Sequence, residues 1–209
     1  FLHGTAVRDI ERGQLAGISP DFWQNDTAVA KNSWCYTEGN EYKTPADILA
    51  DLVDVVAKNG SLLLNVGPRS DGTIPAEDRA ILEAVGDWLA LNGEGVYDTR
   101  NWRTHGEGPT VSPEGSFTDT QRQAYTSADF RFTFKGTNLY VFALKWPADG
   151  VVTIKSLGKK SHGFRAPIRS VAVLGSQGPV KFTLEDEFLR VEARMPAVTG
   201  PVCLRVELD

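Results

Sequence analysis

The run Leu62-Leu63-Leu64-Asn65-Val66 places the tightest constraint on what this chain can fold into. It has no polar alternation, so as a strand it needs cover on both faces, the situation of a parallel sheet layered with helices. A helical pattern stands directly before it. Thr44 is an N-cap, Pro45 fits the first turn, and Asp47 can reach back to the cap. Ile48, Leu49, Leu52, Val53, Val55 and Val56 then recur at helical spacing until Lys58-Asn59-Gly60 ends the helix. After the turn formers Gly67-Pro68 and Asp71-Gly72, a second helix is expected over 76–91, burying Ile81, Leu82, Val85, Trp88, Leu89 and Leu91. Helix, apolar strand, loop and helix form the repeating unit of α/β folds. The loop leaves the carboxyl end of the strand, where such folds place their chemistry. One clear strand does not close a barrel.

The helical period stops after residue 103. Residues 104–116 read as a linker rich in Gly, Thr and Pro, and seven short strand candidates follow: 130–134, 138–145, 151–154, 168–173, 180–184, 188–193 and 202–208. Lys135-Gly136, Asp149-Gly150 and Thr199-Gly200-Pro201 are among the turns between them, a pattern that predicts an antiparallel β-sandwich over 117–209. The formal net charge of -5 speaks against a nucleic-acid partner. No apolar run reaches the length of a membrane span.

Between residues 21 and 45, DFWQNDTAVAKNSWCYTEGNEYKTP has little periodicity. It sets Trp23, Trp34, Tyr36 and Tyr42 beside Asp26, Glu38 and Glu41. Aromatic planes beside carboxylates suit a polyhydroxylated ligand, whose C–H faces stack on rings while its hydroxyls need hydrogen-bond partners. Glycosidic cleavage needs two carboxyl groups in different protonation states. On spacing alone an ordinary solvated acidic loop is the simpler reading of Glu38 and Glu41, and Gly39 argues against a helix there. Asn65 either ties down the following loop or reaches a ligand. Arg69 is a loop arginine that is either solvated or meets a ligand. His3, His105 and His162 form no cluster, and Cys35 and Cys203 have no metal-ligand spacing. Trp88 belongs to the buried side of its helix. Asn25-Asp26-Thr27 and Asn59-Gly60-Ser61 fit the glycan acceptor pattern.

The stretch from SWCYTEGNEYKTPADIL through DVVAKNGSLLLNVGPRSDGTIP to GEGVYDTRNW resembles the end of the catalytic domain of family 29 glycoside hydrolases, the α-L-fucosidases. That family carries a tryptophan and a Gly-Tyr pair before a late barrel helix. The helix ends in Asp-Val-Val-x-Lys-x-Gly, and Asn-Leu-Leu-Leu-Asn-x-Gly-Pro-x-x-Asp-Gly-Thr-Ile follows. ERGQLAGISPDFWQND upstream and TSADFRFTFKGTNLYVFALKWP downstream extend the likeness to almost the whole chain. The resemblance implies α/β plus all-β architecture: the last strands and helices of a (β/α)8-like barrel over 1–103, then the sandwich.

The resemblance also implies a retaining exo-α-L-fucosidase acting on a fucosylated oligosaccharide or glycoconjugate, without cofactor or metal. The family's aspartate nucleophile lies earlier in the barrel, so the implied partner is the N-terminal part of the same protein. The isolated 209-residue chain is expected to be inactive. Glu38 is the expected acid/base with Glu41 as fallback. Trp34, Trp23 and Tyr36 are the expected walls of the sugar pocket. Cys35-Tyr36 stands where the family has Gly-Tyr. Asp26 does not match the nucleophile motif. A secreted, periplasmic or lysosomal setting and a homo-oligomer are compatible with the resemblance. The alternative from another class is a non-catalytic carbohydrate-binding or structural β-sandwich fragment.

Overall fold

The computed structural model describes residues 5–162 and 164–209; His3 lies outside the described residues. The first unit is a three-stranded parallel sheet, β1 (Arg8–Glu11), β2 (Trp23–Ala28) and β3 (Gly60–Asn65), in that spatial order. Helices α1 (Pro45–Ala57) and α2 (Ala76–Asn92) pack on one face. Thr44 and Asp47 form the expected capping box, each side chain accepting the other's backbone N–H at 3.2 Å. Ile10, Trp23, Leu62 and Leu64 turn toward the helices, meeting Val55, Ile48 and Ile81.

The opposite face is open. By register it carries Asp9, Gln24 and Ser61 in one row and Glu11, Asp26 and Leu63 in the next. Leu63 is 54% exposed, so the double cover expected of the Leu62–Val66 run is present on one side only. The sheet does not close into a barrel among the described residues.

Downstream, β4 (Arg100–Glu107), β5 (Phe130–Lys135), β6 (Asn138–Ala143), β8 (Ile168–Val173) and β11 (Val202–Leu208) make a five-stranded antiparallel sheet in the order β4-β5-β6-β11-β8. The second sheet is β7 (Val151–Ile154), β10 (Leu189–Glu192) and β9 (Lys181–Leu184). All seven expected strands are present. Residues 104–107, read as linker, instead complete β4, which pairs with β5 through an irregular register between Asn101 and Gly106. That irregularity hides the alternation that marks a strand.

The five-stranded sheet buries both faces. One packs on the smaller sheet through Phe130, Phe132, Leu139, Val141, Ile154, Leu189 and Leu204. The other packs on α1 and α2 through Tyr140, Phe142, Leu144 and Cys203 against Leu49, Val53 and Trp88. Trp88 is core, as expected, and its Nε1 donates to Pro201 O at 2.7 Å.

A buried ionic knot fastens this second interface. Asp54 on α1 is fully buried. Its Oδ2 takes Lys58 Nζ at 2.6 Å, and its Oδ1 takes Arg131 Nε from β5. Burial pushes the Asp54 carboxyl up, but the charges of Arg131 and Lys58 outweigh it and hold the group below the usual range. His105 on β4 stands beside the knot. Burial, with Lys58 and Arg131, pushes it from 6.5 down to about 4, while Asp54 acts weakly the other way.

The unfolded chain therefore takes up a proton near 6.5 and the folded chain near 4, so stability is full above pH 6.5 and is lost as pH falls toward 4. Asp26, raised to about 6, opposes this trend. The diagnostic quantity is therefore the difference between parent and His105→Gln. Thermal melts between pH 7 and 4.5 should show a shallower loss of Tm in the variant, and parallel curves would contradict the assignment.

Candidate active site at the carboxyl edge of the parallel sheet

The carboxyl ends of β1, β2 and β3 meet one loop, residues 29–43. At β3, Asn65 Nδ2 donates to Trp34 O at 2.6 Å. Two residues on, Gly67 lies so close beneath the loop that a Cβ there would come 2.6 Å from Tyr36 N and 2.9 Å from Cys35 C. The amide of Gly67 donates to Asp78 Oδ1, a buried carboxylate in the first turn of α2, at 3.0 Å. Asn65 is thus the loop tie that the sequence left as one of two readings, and Gly67 is a close-approach position.

At β1, Arg12 follows the strand with φ 49, a left-handed conformation uncommon for a non-glycine residue. Its guanidinium lies 5.3 Å from the Trp34 ring centroid, and Nη2 donates to Ala30 O at 3.1 Å and Lys31 O at 2.6 Å. Below it, Asp119 Oδ2 gathers Arg12 Nε at 3.2 Å, Lys43 Nζ at 2.5 Å and Thr27 Oγ1 at 2.9 Å. Burial lowers the Lys43 pKa, and the Asp119 charge works against that shift. The backbone of 115–119 is pinned to the end of β1, with Thr118 and Asp119 N–H donating to Arg12 O. Arg69 stands 5.1 Å from the Tyr36 ring centroid on the far side.

Trp34 and Tyr36 are therefore each covered by a guanidinium. Glu38 follows them at the loop tip, exposed, next to Gly39 with φ 75. Glu41 is also exposed but sits at the loop base, where its amide donates to Asn32 Oδ1 at 3.1 Å beside the Ala30–Tyr42 bridge.

Trp23 is not with them. It begins β2, at the amino end of the sheet, fully buried among Ile10, Leu15 and Val55, with Nε1 donating to Lys58 O at 3.0 Å. This corrects the expectation of a pocket wall: an indole with no exposed surface at the far end of the strand anchors β2 to α1. Asp26 lies on the open sheet face. Burial, then the hydrogen bond and charge of Asp9 and the charge of Glu11, raises it to about 6.

Both glycan acceptor patterns are committed to structure. Asn25 is buried and donates to Ile10 O and Gly13 O, and Asn59 holds φ 70 and donates to Ser19 O. Among the described residues, no group of three or more His, Cys, Asp or Glu is placed to hold a metal. No described helix is long and apolar enough to cross a membrane.

Arg12, Lys43 and Asp119 escaped the sequence reading. They belong to no motif, and Asp119 is 76 residues from Lys43. The positive φ of Arg12 is a backbone property that the residues RDIER do not announce.

Comparison with known proteins bears on the same elements. A family profile described as "Alpha-L-fucosidase" matches residues 3–94, and one described as "Alpha-L-fucosidase C-terminal domain" matches residues 121–202. Plasma alpha-L-fucosidase of Rattus norvegicus is 30% identical over 188 residues, covering 87% of this chain and 36% of that protein. Tissue alpha-L-fucosidase of Homo sapiens is 29% identical over 168 residues, 79% of this chain and 31% of that protein. The crystal structure of alpha-L-fucosidase from Vibrio sp. strain EJY3 superimposes with a TM-score of 0.73 at 19% identity, over 97% of this chain and 33% of that one. The chain spans about a third of the length of the curated relatives it matches.

If Gly67 seats the loop, Gly67→Ala should displace residues 35–36 by steric contact with their backbone. Quenching of Trp34 fluorescence by iodide should then rise relative to the parent, with Tm falling by a few degrees, on the order of 1 kcal/mol. Unchanged quenching would show that the loop does not rest on Gly67.

Proposed function

The chain belongs to the α-L-fucosidase family of glycoside hydrolases, and from that membership we propose that it carries the acid/base half of a retaining exo-α-L-fucosidase. The observation that supports this most is the clamped loop. Asn65, Gly67 and Arg12 hold Trp34–Tyr36 over the carboxyl edge of the parallel sheet, and Glu38 is the carboxylate that follows on that loop. Trp34 and Tyr36 are the proposed sugar-facing walls.

In this reading an aspartate from the N-terminal part of the same protein attacks the anomeric carbon of a terminal α-L-fucosyl residue. Protonated Glu38 donates to the departing glycosidic oxygen, leaving a covalent fucosyl-enzyme. Glu38, now a carboxylate, takes a proton from water as the water attacks the anomeric carbon and releases fucose and the aspartate. The open face bearing Glu11, Asp26 and Leu63 is where the N-terminal part packs. Its arrival removes water from the loop, and desolvation raises a carboxyl toward the pKa a proton donor needs. The substrate is a fucosylated oligosaccharide or glycoconjugate. A relative named for plasma supports a secreted setting.

In the complete protein, Glu38→Gln should lower kcat on a natural fucoside by about 100-fold or more, whereas Glu41→Gln should stay within severalfold of the parent. The 209-residue chain assayed alone should show no turnover above its own Glu38→Gln variant. A large loss confined to Glu41→Gln would move the role to Glu41.

A further inference from the structure

The β-sandwich carries a concavity that the fucosidase reading leaves unused. It is an open cleft of about 1120 Å³ between β4 and the turn after β7, with Arg103, Glu107, Lys155, Ser156, Ser161 and His162 in its lining. Glu107 is the carboxylate of this lining, and both its oxygens are engaged: Oε1 accepts Lys155 N–H at 2.8 Å and Oε2 accepts Ser156 N–H at 2.6 Å. The Arg103 guanidinium lies 4.3 Å from the Trp102 ring centroid and donates to Ser156 O at 2.9 Å and to His162 O. Arg165 stands close behind, held by Ser161 O at 3.0 Å and Phe164 O at 2.7 Å. Burial first, and then the Arg165 charge, lowers the pKa of Arg103.

Among the described ion pairs, none neutralises Arg103, Arg165 or Lys155. Backbone carbonyls orient the two guanidiniums but bring no counter-charge. Glu107 keeps one negative charge in the same lining, so Arg103 and Lys155 outnumber it and leave the cleft weakly positive on a chain whose net charge is -5. Arg103 and Lys155 are exposed at its rim, and Ser156 and Ser161 line it beside them; the Ser161 hydroxyl donates to Lys155 O and accepts Gly158 N–H at 2.9 Å. A cleft of this size, with charged donors and hydroxyls, matches the chemistry of an acidic sugar better than that of an apolar ligand.

We propose that this cleft binds an anionic saccharide, with a sulfate ester or carboxylate seated between Arg103 and Lys155 and the sugar hydroxyls along Ser156. The saccharide part rests on the family reading; the anion part does not.

Calorimetric titration of the full chain tests both parts without any assay of turnover. The probes are a heparin-derived sulfated tetrasaccharide, its desulfated counterpart, neutral maltotetraose and sodium sulfate. The sulfated tetrasaccharide should bind, the desulfated one (which keeps its carboxylates) more weakly, and maltotetraose not at all. Arg103→Gln and Lys155→Glu should each weaken binding at least about tenfold, and Lys181→Glu on β9 should leave it unchanged. Lys155 is exposed, so its variant keeps the test valid if Arg103→Gln fails to fold. Three results each overturn the proposal: no binding of the sulfated tetrasaccharide, parental affinity in both cleft variants, or equal affinity for sodium sulfate, which makes the cleft a free-anion site.

Discussion

The arrangement of this chain depends on one buried carboxylate. Asp54 has no exposed surface, and the cations that neutralise it come from different units, Lys58 from the end of its own helix and Arg131 from β5. Removing one partner of such a group leaves a charge that water cannot reach, at a cost of about 3–5 kcal/mol, so the pairing admits few alternative dockings of α1 on the sheet. Apolar contact between Leu49, Val53, Trp88, Tyr140 and Phe142 supplies the area of that interface. The ionic knot supplies its register.

A fixed α1 fixes the loop before it. Residues 29–43 run straight into the Thr44 cap, so their carboxyl end is set by the helix and their middle by Asn65 and Gly67. Their start is set by Arg12, which is held through Asp119 by a segment leading into the sandwich. The sandwich thus acts on the candidate site through two mechanical routes, α1 and Asp119, without placing a reacting group there. A rigid frame of this kind lets a carboxylate at an exposed loop tip hold a defined position once the open sheet face is covered.

Where the sequence was legible, local pattern and tertiary demand agreed on which elements form, although Leu63, Leu82 and Leu91, all expected under cover, are exposed. The two helices, β3 and the seven sandwich strands all declare themselves by period and by turn residues. β1 and β2 do not, because RDIE and WQNDTA are mostly polar on both faces: Ile10 and Trp23 are the apolar residues turned to the helices, beside Asn25 and Thr27, while Asp9, Glu11, Gln24 and Asp26 face the open side. Such strands look like polar loop. Trp23 shows the converse limit: composition groups it with Trp34, but only the register of β2 reveals that the two lie at opposite ends of the sheet. The stacked arginines and the Asp119 tie join residues far apart in sequence and leave no local trace.

The central claim is geometric: Glu38 stands across the scissile bond from a second carboxylate. The most direct measurement is a crystal structure of the complete protein with α-L-fucose bound. The account predicts that the Glu38 carboxyl lies about 5–5.5 Å from an aspartate carboxyl, with the anomeric carbon between them. Glu41 in that position, or Glu38 turned to solvent while the sugar is bound, would contradict it.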